Sequence, residues 1–79
     1  MDVSDVIVGV RVRRTITSGT ISRGAEGIIV NSSDKELPMV QWLKGSFKIN
    51  QARKYNTLNG LVDLPINTWC SCSEFLKVV

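Results

Sequence analysis

The 79-residue chain has no histidine, and it carries only two cysteines, two prolines, two tryptophans, two phenylalanines and one tyrosine. Without histidine it lacks the side chain best suited to moving protons near neutral pH. It also lacks the usual nitrogen ligand for zinc, and two thiols alone do not complete a four-ligand site. Cys70 and Cys72 are separated by one residue, too short a loop for an unstrained bridge, so a disulfide scaffold is excluded. Two reduced thiols near a strand end are expected. The sharper alternatives are a metal shared across a dimer and a redox pair, and both need ligands from outside the chain.

Other absences narrow the function classes. No apolar run approaches the roughly 20 residues a membrane helix needs. Met1-Asp2-Val3-Ser4-Asp5 lacks the basic start of a secretory signal, so a soluble, intracellular protein without membrane insertion is expected. The glycines are not followed by Lys-Ser or Lys-Thr and a helix, which excludes a phosphate loop. Catalysis needs a group held against substrate with a tuned pKa, and no spacing here signals one. A non-enzymatic protein without a cofactor is the expectation.

The composition is that of an ordinary globular chain, 43% hydrophobic and 22% charged. Its length bounds it to one small domain with a thin core, spanning 1–79. Ten Lys and Arg against seven Asp and Glu give a net charge of +3. That balance suits an acidic partner without demanding nucleic acid, whose dedicated binders are more basic.

The periodicity is that of strands. Val8, Val10 and Val12 alternate with Gly9, Arg11 and Arg13, predicting a half-buried strand with both arginines outward. Thr15 to Ser22 reads as a polar loop turning at Ser18-Gly19. Asn31 to Glu36 is a hydrophilic hairpin loop, and Pro38 opens a strand over Met39–Leu43 with Val40 and Trp42 inward. After a Lys44-Gly45-Ser46 turn, Phe47-Lys48-Ile49 alternates as a fourth strand. The stretch from about 50 to 67 is a long irregular loop. Ser73 is placed to cap one helical turn before a last strand that returns Leu76 and Val78 to the core. The expected fold is all-β, a small barrel of about five short strands with one long irregular loop.

Arg23-Gly24-Ala25-Glu26-Gly27-Ile28-Ile29-Val30 is the most telling stretch. Gly24 suits a tight turn, and Gly27, inside a strand pattern, suits a bend where a side chain would strike a neighbouring strand. The stretch resembles the core of the KOW motif, and the whole order of elements resembles an SH3-like barrel. Three further pieces are similar to the families of the photosystem I E subunit and the ferredoxin–thioredoxin reductase variable chain. They are Gly9-Val10-Arg11-Val12-Arg13, Leu37-Pro38-Met39-Val40-Gln41-Trp42, and Ile66-Asn67-Thr68 with the closing Ser73–Val79. The resemblance implies a barrel that works as a docking module, and it transfers no functional residue.

Two basic groups are candidates for contact with a partner: Arg11, Arg13, Arg14 and Arg23, and Lys44, Lys48, Arg53 and Lys54 beside Tyr55. Outward barrel positions are also charged merely for solubility. Trp42 and Phe47 are assigned to the core by their phase. Trp69 and Tyr55 are candidate anchors, because tryptophan and tyrosine bury large areas at interfaces; Trp69 suits the core equally. The candidate partner-binding set is therefore Arg11, Arg13, Lys44, Lys48, Arg53, Lys54, Tyr55 and Trp69. The favoured partner is an acidic protein or multi-subunit complex, which the chain would join as an accessory or regulatory subunit. The alternative is nucleic acid, bound in a KOW or Tudor-like manner by phosphate contacts and stacking on Tyr55.

Overall fold

Along the first strand, β1 (Arg11–Arg14), Val12 and Arg14 are buried while Arg11 and Arg13 are exposed. A computed structural model describes residues 1–47, 54–57, 60–63 and 66–79, with the backbone alone for 54–57 and 61–63. Six further strands are described: β2 (Glu26–Asn31), β3 (Met39–Lys44), β4 (Lys54–Thr57), β5 (Gly60–Asp63), β6 (Thr68–Cys70) and β7 (Leu76–Val78). Short 3-10 turns lie at Val3–Asp5 and Ser73–Phe75. Five strands form one antiparallel sheet in the order β6-β3-β2-β1-β7, and β4 pairs with β5 in a separate hairpin. Among the described residues no helix is long and apolar enough to cross a membrane.

The protein is all-β, as the period-two pattern requires. No pairing joins β6 to β7 among the described residues, so this ladder is open at both edges. Its inner side holds the core: Val6, Val12, Ile21, Ala25, Ile29, Val40, Trp42 and Leu76, with Met1, Val10 and Phe47 packed against it. Val40 and Trp42 face inward as their alternation predicts, at 0% and 1% exposure. Burying a Trp is among the largest single contributions a small core receives, since truncation to Ala typically costs about 3–5 kcal/mol.

The structure corrects several details. The strand predicted from Val8 begins only at Arg11, because Gly9 takes φ +97 and turns the chain. Val8 is thereby left exposed. Arg14, grouped with the surface arginines by sequence, is only 5% exposed. The long irregular stretch contains the β4–β5 hairpin, paired from Lys54↔Asp63 to Thr57↔Gly60. Phe47 bridges Ile21, while Lys48 and Ile49 lie outside the described residues. Ser73 is the first residue of its 3-10 turn rather than its cap, and Cys72 at the cap position makes no side-chain cap hydrogen bond. Val78 pairs with Val12 but remains 45% exposed, because β7 is the edge strand of the sheet among the described residues.

The glycine pair behaves as the sequence implies. Gly24 has φ +93 at the turn that leads into β2. Gly27 lies at a register shift between β2 and β3. A Cβ there would lie 2.7 Å from Val40 Cγ1 and closer still to the Gln41 carbonyl oxygen. Gly24 is thus needed for its dihedral and Gly27 for its space. Gly24→Ala should cost about 1–2 kcal/mol from left-handed backbone strain, and Gly24→Asn should recover part of that loss. Gly27→Ala should cost about 1–3 kcal/mol through overpacking, with Gly27→Asn worse rather than better. Urea denaturation of the four variants separates the two mechanisms.

Candidate functional site

Strand register builds the site on the outer face of the sheet. Lys77 lies opposite Arg13, Arg13 opposite Glu26, and Glu26 opposite Lys44. One row of side chains therefore crosses β7, β1, β2 and β3 with the signs plus, plus, minus, plus. At about 4.8 Å per strand spacing, its four Cα positions span roughly 14 Å. Arg11 stands two residues along β1 on the same face, exposed like Arg13.

Glu26 serves both neighbours within the row, with Arg13 Nη2 at 3.5 Å and Lys44 Nζ at 3.4 Å. Its side chain is only 13% exposed, against 47% for Arg13 and 71% for Lys44. The anion is sunk between two cations that reach outward. Burial alone would raise the Glu26 pKa, but the hydrogen bond and charge of Lys44, then the charge and hydrogen bond of Arg13, outweigh it and hold the carboxyl below its ordinary value. Among the described residues no ion pair engages Arg11, Arg23 or Lys77. Arg13, Arg23 and Lys77 line a shallow cleft of about 230 Å³ with Arg14, Thr15 and Gly24, and no acidic residue lines it. Leu43, exposed to 50% beside Lys44, adds an apolar contact.

The sequence-predicted residues divide four ways. Arg11, Arg13 and Lys44 share the outer face. Trp69 lies on β6, opposite Val40, 39% exposed and away from the row. Lys48 and Arg53 fall outside the described residues, and Lys54 and Tyr55 lie on β4, whose side chains are not described. Sequence reasoning missed Lys77, because the closing segment reads as apolar residues returning to the core. The signal was its position between Leu76 and Val78, which alternation places outward. Cys70 and Cys72 are free and half-buried, and no group of three or more metal-ligating side chains occurs among the described residues.

Lys77 directly opposite Arg13 is unfavourable, since like charges facing across strands destabilise a sheet. Lys77→Glu should therefore raise the urea midpoint, by roughly 0.2–1 kcal/mol of stability. Glu26 gives a second test. Its folded pKa lies below the unfolded one, so its stabilisation is present above about pH 4.3, the ordinary Glu value. It is lost as pH falls through the lower folded value. Stability measured from pH 6 downward should decline in that window, and Glu26→Gln should flatten that part of the profile.

No protein-family model, curated protein or solved structure matches this chain, so its functional reading rests on this side-chain geometry.

Proposed function

We propose that the chain is a non-enzymatic docking module of the SH3-like barrel type whose basic outer face seats an acidic protein surface. It would serve as an intracellular accessory or regulatory subunit of a larger complex. The element order supports the barrel reading: β1, a long loop, the Gly24–Gly27 turn into β2, then β3, the β4–β5 hairpin, β6, a 3-10 turn, and β7 returning beside β1. The docking reading is carried by one observation, the Lys77–Arg13 pair set face to face on the row. A repulsive pair that the fold does not need is explained when a partner carboxylate bridges it.

An acidic protein fits this row better than nucleic acid does. Glu26 lies within the row and would repel a run of phosphates, whereas a protein can place single carboxylates at Lys77–Arg13 and at Lys44, on either side of it. Charges at the rim steer encounter and set orientation, and Leu43 gives the contact an apolar element.

The test measures binding of a fluorescent acidic peptide carrying Glu and Leu, beside single- and double-stranded oligonucleotides, across a salt series. The peptide should bind with a shallow salt slope, and Arg13→Glu with Lys77→Glu should abolish binding while the far-UV spectrum is unchanged. Oligonucleotide binding that is tighter than peptide binding and falls steeply with salt, at about 0.9 log units per phosphate contact, would replace the protein reading with the nucleic-acid one. No effect of the double reversal on either ligand would remove the outer face from the function.

A further inference from the structure

A second site lies on the inner side of the sheet, around a cation that has no carboxylate counter-charge among the described residues. Arg14 is 5% exposed. Its Nη1 donates to Ser71 Oγ at 2.9 Å, its Nε to the Ile16 carbonyl at 3.2 Å and its Nη2 to the Ser18 carbonyl at 3.4 Å. Its guanidinium carbon stands 5.3 Å from the centre of the Phe75 ring. These acceptors are all neutral, and among the described residues no carboxylate comes within ion-pair distance of Arg14. A guanidinium has five N–H donors, so these three bonds leave donors to spare. Burying a charge is costly when it is not paired. Desolvation accordingly pushes the Arg14 pKa below its usual value, against opposing contributions from Cys72 and Cys70.

The residues that hold the guanidinium also form the wall of a cleft. Arg14, Ser18, Ser71 and Phe75 line a concavity of about 210 Å³, together with Trp69 and Leu37. Trp69 is 39% and Leu37 43% exposed, which gives the cleft an apolar rim above a fixed cation. Its volume is below the roughly 300–1,000 Å³ of sites for drug-sized ligands, a size suited to about one amino-acid residue.

We propose that this cleft binds a carboxylate carried on one apolar group, such as the last residue of a peptide, with Arg14 as counter-ion and Trp69 and Leu37 as the apolar wall. A carboxylate suits the site better than a phosphate. One guanidinium neutralises one negative charge, its planar fork matches carboxylate geometry, and the rim favours an apolar body over a second charge. Arg13 and Lys77 face the opposite side of the sheet, so this site stands whether or not the outer face docks an acidic protein.

The experiment titrates the wild-type protein with N-acetyl-leucine and with its uncharged amide, N-acetyl-leucinamide, followed by amide and indole chemical shifts. The acid should shift the Trp69 indole and the Gly19 and Ser71 amides saturably, and the amide should bind about tenfold more weakly or worse, a difference of about 1.4 kcal/mol. Trp69→Ala should weaken both ligands, whereas Arg14→Met should erase the preference for the acid. An N-acetylated tripeptide ending in leucine distinguishes the sources: binding at least equal to that of the single residue identifies a peptide terminus, and exclusion identifies a small free acid. Equal binding of acid and amide would overturn the proposal. So would shifts confined to Arg13, Arg23 and Lys77, and the wild-type comparison decides this even if Arg14→Met does not fold.

Discussion

The Arg14 guanidinium is the joint on which the molecule turns. It leaves β1 on the inner side, takes in the carbonyls of Ile16 and Ser18, and reaches Ser71, 57 residues away in sequence. Among the described residues the two edges of the five-stranded sheet are not paired to each other, and this side chain adds a link from β1 to Ser71, just after β6. It also holds down the start of the polar loop between β1 and β2. A hydrogen bond to a charged group contributes roughly 1.5–3 kcal/mol, a large share for a domain with so thin a core. Its cost is the desolvation of a cation that ordinary surface arginines never incur.

Charge is therefore used in two ways on the two sides of one strand. Outward from β1, Arg11 and Arg13 are hydrated, and Glu26 offsets part of the row at long, partly exposed distances of the kind that contribute little to stability. Inward, Arg14 is buried and hydrogen-bonded to Ser71, Ile16 and Ser18. The outer cations stay exposed, and the contacts of Arg13 and Lys44 with Glu26 are weak enough that meeting a partner costs the fold little. The inner one is fixed because the fold does depend on it, and a fixed cation is already organised for an incoming anion.

Much of the architecture was legible because it rests on local pattern. Val40 and Trp42, the turn at Ser18-Gly19 and the two roles of Gly24 and Gly27 all follow from alternation and from the dihedral and steric properties of glycine. Arg14 was not legible. Its neighbours Arg13 and Arg11 suggest a hydrated surface, and only the arrival of Ser71 and Phe75 from the far end of the chain makes an inward arginine tenable. Lys77 was hidden for the opposite reason, being one charged residue inside an apolar segment. The row itself could not be read, because it is assembled from four strands whose order and register are tertiary facts. The hairpin inside the 50–67 stretch was missed because Lys54–Thr57 has none of the apolar alternation that marks a strand packed on a core.

The pairing of β1 with both β2 and β7 also governs the order in which the fold can assemble. β2 and β3 are joined by a short loop and close at small entropic cost, whereas the β1–β7 ladder matches Val12 with Val78 and must enclose most of the chain. Contacts of such long range form slowly. Until β7 and the Ser73–Phe75 turn arrive, Arg14 has neither Ser71 nor Phe75 beside it and remains in water. Desolvation of the cation thus goes with the docking of Ser71 and Phe75 against β1.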